Sequence, residues 1–366
     1  MKVAKFIKKT PLSKKIARII GVNDKYYKKA TEIDRFGDSQ IVYGGIDISK
    51  DSTGKFKVIE INPRVQAMGL QDFRQETLSI PGEPNLLNDF ISWLHDGNYK
   101  NITLLGSTKN AFYRGYDRIT ETLNLNGINT VFTDSEGLKG LYNLGYETQL
   151  IFRNCNNEVI INDPEIKSII EDRHMKIVNP LHASFYGYRG FLKIIYDELL
   201  EVLPHQITLS DKTTEKDLVD HPWLKLEANG EEYVVNYNEL RRWGKTSVLS
   251  ILHGDFGAVS QNLKDKTGGD AKNIRKVADL IQNSNREDVV WIAQENVEPP
   301  LVDIKLEGVQ QKTRLLYRTY WLYRDDRSVA VSAECFGCTE DQFKKSKGKI
   351  NAGTGFSVPI KNFKRS

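Results

Sequence analysis

Two acidic residues and an asparagine near the start of the chain have the types and spacing of a metal site. Asp47 precedes Glu60 by thirteen residues, and Asn62 follows two residues later. Carboxylate and amide oxygens are hard ligands that suit Mg²⁺, an ion that keeps several waters and is commonly held together with the phosphates of a nucleotide. Arg64, just beyond them, could neutralise a phosphoryl group or orient a carboxylate through two hydrogen bonds.

A β-hairpin is predicted to bring these residues together. Residues 41–49 and 55–62 have strand patterns, and the segment between them is rich in turn-forming residues. In a hairpin alternate side chains share a face, so Glu60 and Asn62 point the same way and Asp47 meets them from the partner strand. The alternative is a solvated hairpin with ordinary surface charges, because this spacing also arises by chance.

The rest of the chain alternates between strand and helix patterns. Residues 102–106, 130–133 and 148–152 have the short apolar runs of strands, and residues 113–126 have a helical pattern. This alternation is typical of an open α/β sheet. Further strands are predicted around Tyr233 and Val248 and over residues 289–295, 315–323 and 328–335.

The length of the chain predicts more than one structural unit. A chain of 366 residues is too long for one compact core, and two or three units are expected. Proline and aspartate cluster between residues 204 and 222, and prolines recur between 81 and 84. We therefore predict three segments, which are 1–97 with the hairpin, 98–210 with the open sheet, and 211–366 with the remaining strands.

Several later segments add a family resemblance to this reading. After E-I-N-P-R at 60–64 come Q-L-I-F-R at 149–153, I-V-N-P at 177–180, G-D-F-G-A-V at 254–259, W-I-A-Q-E-N-V at 291–297 and N-A-G-T-G at 351–355. Their order resembles the circularly permuted ATP-grasp group, which includes glutathionylspermidine synthetases. In that group the metal hairpin comes first, the pre-ATP-grasp sheet follows, and the nucleotide lobe comes last.

The resemblance implies both a fold and an activity. The fold would be α/β (α+β), an ATP-grasp-like fold in circularly permuted order with a pre-ATP-grasp open α/β sheet. The activity would be that of an ATP-dependent carboxylate–amine ligase, which forms a C–N bond through an acyl phosphate on a small-molecule or peptide substrate. ATP and Mg²⁺ would be the cofactors.

The resemblance also implies roles for individual residues. Glycine amides would approach phosphate oxygens, and the backbone of a linker strand would bind the adenine edge. Arg318 and Arg314 would face the phosphates or the acyl phosphate, and for both the alternative is a structural salt bridge. The implied sets are Asp47, Glu60 and Asn62 for the metal; Arg64 and Arg318 for catalysis; Gly254, Gly257, Gln294, Glu295, Val297, Asn351 and Gly353 for ATP; and Arg153 and Arg189 for substrate.

Two positions depart from the family pattern. Gly45 stands where an arginine is usual, and Ser250 stands where a lysine is expected before the glycine-rich segment. Both missing groups would meet phosphate, and a lysine elsewhere, at 225, 245 or 264, would have to replace the second one. These losses favour an alternative function, a nucleotide-binding scaffold or regulator with weak or no turnover.

The charge of the chain is unevenly distributed. Residues 1–30 contain ten Lys or Arg and one acidic residue, a charge of +9, so a total of +4 leaves −5 on the rest. An amphipathic helix with a solvated basic face is predicted near the amino terminus, in a segment bounded by Pro11 and Gly21. A third hypothesis follows, in which this segment binds a polyanion such as nucleic acid or a membrane surface.

Other motifs exclude several classes of protein. Three cysteines cannot form a disulfide framework, and the lone C-x-x-C at Cys335 and Cys338 is interpreted as a chance pair or a buried strand end, with a redox or metal role as the alternative. The G-K-T-S at 244–247 lacks the upstream glycine of a P-loop. The six histidines show no metal-ligand spacing. No apolar run has the length of a membrane-spanning helix, so a cytoplasmic protein is expected.

Overall fold

The computed structural model describes residues 3–4, 7, 12–36, 41–63, 86–107, 113–195, 199, 201–209, 213–228, 231–237, 290–306, 309–324, 327–345 and 356–358. The chain divides into two compact units. Unit 1 comprises Met1–Pro11, Lys28–Gly187 and Glu298–Ser366, and unit 2 comprises Leu12–Tyr27 and Tyr188–Val297. The three predicted segments stay a prediction.

The described residues form a mixed α/β structure. Its strands, in chain order, are β1 (Tyr43–Lys50), β2 (Phe56–Asn62), β3 (Asn101–Leu105), β4 (Asn129–Thr133), β5 (Leu150–Arg153), β6 (Lys176–Val178), β7 (Gln206–Thr208), β8 (Trp223–Ala228), β9 (Glu231–Asn236), β10 (Val290–Gln294), β11 (Leu301–Leu306), β12 (Val309–Arg324), β13 (Arg327–Thr339) and β14 (Phe356–Val358). The helices are α1 (Lys14–Ile19), α2 (Asp24–Phe36), α3 (Leu86–Asp96), α4 (Tyr113–Leu125), α5 (Ser135–Asn143), α6 (Asn157–Ile161), α7 (Pro164–Arg173), α8 (Arg189–Ile194), α9 (Glu215–Asp220) and α10 (Glu340–Lys345), with a 3₁₀ helix at Leu181–Gly187.

An antiparallel sheet in unit 1 contains the predicted hairpin. Its strand order is β14-β13-β12-β1-β2, and β11 also pairs with β12. The β1–β2 turn is held by Asp51, whose side chain accepts hydrogen bonds from the backbone N–H groups of Thr53 and Lys55. Gly54 completes this turn with a φ of 82°, a backbone conformation that glycine adopts readily. The predicted hairpin is therefore confirmed.

A parallel sheet in the same unit confirms the predicted open α/β arrangement. Its order is β4-β3-β5-β6, and all four residues of β5 are buried. A central strand covered on both faces needs such a continuous apolar run. Phe152 of β5, Tyr43 of β1 and Phe90 of α3 belong to one apolar core that joins this sheet to the antiparallel one.

Unit 2 contains a separate antiparallel sheet. Its order is β7-β10-β8-β9, so the predicted strand at 289–295 lies inside the sheet as β10. Trp291, Ile292 and Ala293 of β10 are buried. The predicted strand around Val248 lies outside the described residues.

Some boundaries differ from the prediction for clear reasons. Strand β12 begins at Val309, although residues 315–323 were expected, because its polar first residues pair with β11 and an apolar pattern does not reveal them. The predicted amino-terminal helix is confirmed as α1. It starts after Ser13, whose side chain accepts a hydrogen bond from the Ile16 N–H.

Candidate functional site

Three charged side chains form a row across the antiparallel sheet of unit 1. Asp47 on β1 lies opposite Glu60 on β2 and opposite Arg318 on β12. Directly opposed residues of antiparallel strands present their side chains on the same face. Both predicted carboxylate ligands and the predicted catalytic arginine therefore share one face of the sheet.

Arg318 binds Asp47 through two hydrogen bonds. Its Nε lies 2.5 Å from Oδ1 and its terminal nitrogen lies 2.7 Å from Oδ2. Only 7% of the Asp47 side chain and 18% of the Arg318 side chain are exposed. Because little water screens the pair, this ion pair neutralises Asp47 more strongly than a surface pair would.

The next row of the sheet contains the third predicted ligand. Asn62 on β2 lies opposite Gly45, and Gly45 lies opposite Tyr320 on β12. Glycine contributes no side chain, so Gly45 places no charge where the sequence resemblance predicts an arginine. The side-chain Nδ2 of Asn62 is buried and has no hydrogen-bond partner among the described residues. Rotating this amide would present its Oδ1 at the same place.

The side-chain oxygen atoms of Asp47, Glu60 and Asn62 fit a hard divalent cation. Two carboxylates and an amide oxygen on one face match the ligands that Mg²⁺ prefers. A carboxylate has about four acceptor positions, and Arg318 uses two of those on Asp47. Among the described residues no group of three or more His, Cys, Asp or Glu is placed to hold a metal ion. The predicted metal site has only two carboxylates, Asp47 and Glu60, so it also needs the amide oxygen of Asn62 as a ligand.

A buried asparagine holds the hairpin in place. Asn179 follows β6, and its Oδ1 accepts hydrogen bonds from the backbone N–H groups of Val42 at 2.8 Å and Tyr43 at 3.3 Å. Its Nδ2 donates to the carbonyl oxygens of Tyr43 and Pro63. One side chain therefore ties the start of β1 and the residue after β2 to the parallel sheet, and no sequence motif pointed to this role.

Close packing also constrains β1. A Cβ atom on Gly44 would lie 2.1 Å from the ring of Trp321 on β12. A side chain at this position would push β1 away from β12, and the Asp47–Arg318 pair lies between the same two strands. Glycine at position 44 is required for this pairing.

Two predicted ligand-binding arginines have structural contacts. Arg153 is 1% exposed and donates hydrogen bonds to the carbonyl oxygens of Asn179, Pro180 and Cys155 and to the Asn157 and Ser184 side chains. These bonds hold the segments that follow β5 and β6, so its geometry is that of a structural residue. Arg189 begins α8. The predicted substrate contacts of both arginines stay predictions.

Arg314 on β12 forms the salt bridge that was its alternative interpretation. Its guanidinium lies 2.8 Å from a carboxylate oxygen of Glu340 and 2.8 Å from one of Glu298. The hydrogen bond from Arg314 holds the pKa of Glu340 below its usual value. This arginine stabilises the link between β12 and α10.

A buried polar cluster lies in the sheet of unit 2. Gln294 on β10 receives hydrogen bonds at its Oε1 from Lys225 Nζ on β8 and from Gln206 Nε2 on β7, the latter at 3.2 Å. Gln206, Lys225 and Gln294 are each less than a tenth exposed. Lys225 is one of the three lysines considered as a replacement at Ser250. Gln206 was not predicted, because only the pairing of β7 with β10 brings it here.

The segment after β10 has its own contacts. The Glu295 N–H donates to the His205 carbonyl oxygen at 2.9 Å, and Trp223 Nε1 donates to Asn296 Oδ1 at 3.0 Å. The backbone of Val297, the other predicted adenine contact in this segment, follows directly. These bonds hold the predicted linker against the neighbouring strands of the same sheet.

Several predicted residues lie outside the described part of the chain. They are Arg64, Gly254, Gly257, Asn351 and Gly353, together with Ser250 and the candidate lysines 245 and 264. In the basic amino-terminal segment, Lys14 and Arg18 both pair with Asp24. No helix in the described ranges is long and apolar enough to cross a membrane.

Comparison with known proteins supports the fold only. No protein-family model matches the sequence, and the search of curated proteins finds no match. A crystal structure from Methylobacillus flagellatus KT, which carries the provisional name gamma-glutamylcysteine synthetase, is similar with a TM-score of 0.51 at 11% sequence identity. The similarity covers 96% of this chain and 87% of that one. The chain therefore shares a mixed α/β fold with a protein named as a ligase.

Proposed function

We propose that this protein is an ATP-dependent ligase that joins a carboxylate to an amine through an acyl phosphate. The observation that carries the proposal is the row of Arg318, Asp47 and Glu60 on one sheet face, with Asn62 in the next row. Such a row combines ligands for a cation with a positive group for phosphate. Both are needed where a phosphoryl group is transferred.

In this proposal the hairpin residues hold the metal. Asp47 and Glu60 supply the two charges, and the amide oxygen of Asn62 supplies a neutral ligand. A bound Mg²⁺ would withdraw charge from the phosphate under attack. Asn179 keeps the two strands in register, so the ligands stay on one face.

In this proposal Arg318 would bind Asp47 when no nucleotide is present and phosphate when nucleotide is bound. Without nucleotide it neutralises Asp47, so two carboxylates and one guanidinium leave a single negative charge on the row. With triphosphate and metal bound, Asp47 would help to hold the metal and Arg318 would neutralise phosphate charge. Arg64 is proposed as a second positive group for phosphate or for the substrate carboxylate.

The buried cluster of unit 2 is proposed for nucleotide recognition. Gln294, Glu295 and Val297 would offer side-chain and backbone groups to adenine, and Lys225 would supply the positive charge that Ser250 lacks. Gly254, Gly257, Asn351 and Gly353 are proposed to contact the phosphates through their backbone amides. Each role rests on the geometry within one unit or on the motif alone.

The structural comparison agrees with this assignment. The similar crystal structure carries the name gamma-glutamylcysteine synthetase, and the similarity covers 87% of it. The circularly permuted ATP-grasp order remains part of the proposal, as does the three-segment division. Arg189 is the proposed contact for an acceptor carboxylate.

One observation favours the second candidate, a nucleotide-binding scaffold without turnover. Gly45 provides no charge between Tyr320 and Asn62, where the family has an arginine. A site that lacks this group would bind phosphate but stabilise the transition state less well.

Thermal unfolding with and without metal tests nucleotide binding. ATP should raise the melting temperature only when Mg²⁺ is present, because the two carboxylates repel unliganded phosphates. At a hundred times the dissociation constant, the gain in unfolding free energy should be about 2.7 kcal/mol. ADP release across a panel of amino acids, polyamines and short peptides then separates the ligase from the scaffold. A melting curve unmoved by Mg-ATP would rule out both.

A further inference from the structure

Two histidine rings meet where strands β7 and β8 of the unit 2 sheet begin. Nδ1 of His205 lies 2.5 Å from Nε2 of His221, and the ring centroids are 4.8 Å apart. Nδ1 of His221 lies 2.7 Å from the backbone carbonyl oxygen of Asp217. A carbonyl oxygen only accepts, so this Nδ1 carries the hydrogen and Nε2 of neutral His221 presents a lone pair towards His205.

We propose that His205 and His221 form a two-ligand site for a divalent transition-metal ion such as Ni²⁺, Cu²⁺ or Zn²⁺. Imidazole nitrogen suits these ions. A histidine that donates its other ring N–H to a backbone carbonyl is in the state that metal-bound histidines adopt, because that bond sets the tautomer and the ring orientation. His221 is already in this state through Asp217.

An ion would replace the hydrogen bond between the two rings. With metal–nitrogen bonds of about 2.0–2.1 Å, two ligands at right angles lie about 2.9 Å apart. The nitrogens would separate by about 0.4 Å from their present distance, and both rings would rotate so that their lone pairs point at the ion instead of along the hydrogen bond. The His205 side chain is exposed. His205 would transfer its Nδ1 hydrogen to Nε2, which keeps the ring neutral. Waters would complete the coordination.

The backbone on both sides of the pair is held in place. The His205 carbonyl oxygen accepts the hydrogen bond from Glu295 N–H, immediately before β7. His221 follows α9, whose first turn has a reciprocal capping box between Thr214 and Asp217. The pair therefore presents its nitrogens on a fixed framework, which reduces the entropy lost on binding.

The strand order explains why the pair links separate segments. His205 precedes β7 and His221 precedes β8, and both strands pair with β10 from opposite sides. An ion bound by both rings would join the two flanking strands across the end of β10. The sequence alone gave no hint, because ligands sixteen residues apart match no local motif. This inference does not depend on the proposed ligase activity.

Titration of the tag-free full-length protein with Ni²⁺ tests the site. Calorimetry should show one binding event that His205→Gln and His221→Gln each weaken at least about tenfold, the scale seen when a group supporting a metal site is lost. The double variant should lose it. His95→Gln is the matched control, because His95 is another exposed histidine, in the last turn of α3.

A second measurement does not depend on any variant. The electron paramagnetic resonance spectrum of the parent protein with one equivalent of Cu²⁺ should show hyperfine structure from two nitrogen ligands. The proposal is overturned if the double variant binds Ni²⁺ as tightly as the parent, or if the Cu²⁺ spectrum of the parent shows fewer than two nitrogens.

Discussion

At the scale of single residues, the charges on the hairpin face determine what it can bind. Asp47 is nearly buried and is paired with Arg318, whereas Glu60 beside it is half-buried. The two carboxylates therefore have different environments. Under the proposed function, Glu60 would be the more accessible ligand, and Asp47 would become a full ligand only if Arg318 moved its hydrogen bonds elsewhere.

Replacing Glu60 with glutamine should remove a metal charge and keep the size of the side chain. We expect ATP turnover to fall by at least about a hundredfold, the scale of losing one electrostatic partner of a transition state. The melting temperature should barely change. Glu121→Gln, at an exposed position on α4, is the control in the ADP-release assay. Parent-like turnover in Glu60→Gln would mean that the hairpin does not hold the metal.

Removing Arg318 should destabilise the protein by leaving Asp47 buried without its cation. We expect Arg318→Gln to lower the free energy of unfolding by roughly 3 kcal/mol, as when one member of a buried pair is lost. Adding Asp47→Asn should restore much of this loss, because the uncompensated charge is then gone. Urea unfolding of the parent, both single variants and the double variant measures the coupling. Strictly additive effects would show that the pair contributes nothing.

At the scale of elements, Asn179 connects the two sheets of unit 1. Asn179→Ala should leave four backbone groups of Val42, Tyr43 and Pro63 with fewer partners, and we expect a loss of about 3 kcal/mol in the free energy of unfolding. Asn143→Ala, exposed at the end of α5, should stay within about 0.5 kcal/mol. Equal free energies of unfolding for Asn179→Ala and Asn143→Ala would contradict the role of Asn179 in holding the hairpin to the parallel sheet.

Both cysteines of the C-x-x-C pair lie in strand β13. Cys335 and Cys338 are three residues apart in a strand, so they point to opposite faces, and both are buried. Burial raises the pKa of Cys335 to about 12 and also raises that of Cys338. At pH 8 iodoacetamide should therefore modify Cys155 alone in the native protein and all three thiols in urea. Native labelling of Cys335 at the rate of Cys155 would refute this.

The same pKa shift gives a sign for alkaline stability. The Cys335 thiol keeps its proton in the folded protein up to about pH 12, whereas the unfolded chain loses it near pH 8.5. The contribution of the protonated Cys335 thiol to the free energy of unfolding is therefore fully present below about pH 8.5. It is lost as the pH rises from about 9 to 12. Cys335→Ala should weaken this alkaline loss.

Local patterns predicted the hairpin and the individual strands of the parallel sheet, because hydrophobic periodicity depends on neighbouring residues. Long-range partners were beyond such patterns. Arg318 is 271 residues from Asp47, and only the register of β12 against β1 reveals that they pair. Arg153 was predicted to bind substrate from a motif, and the carbonyl oxygens that surround it come from distant segments. Gln206 and Asn179 were missed for the same reason.

At the scale of the whole molecule, the similarity to the Methylobacillus flagellatus structure extends over 96% of the chain. This extent means that both compact units belong to a shared fold, although few residues are identical. Because a shared fold does not determine activity, the chemistry must be argued from the site. Under the proposed function, the hairpin row with its paired arginine is where phosphoryl transfer would be distinguished from simple nucleotide binding.

The most direct test follows oxygen from the substrate carboxylate into phosphate. The protein is incubated with Mg-ATP, hydroxylamine and a panel of carboxylates labelled with ¹⁸O, and the released phosphate is examined by ³¹P nuclear magnetic resonance. The account predicts ADP, a hydroxamate of one carboxylate, and phosphate that carries ¹⁸O from it, since that oxygen attacks the γ-phosphorus. AMP with pyrophosphate, or ADP with unlabelled phosphate beside a formed hydroxamate, would contradict the acyl-phosphate mechanism.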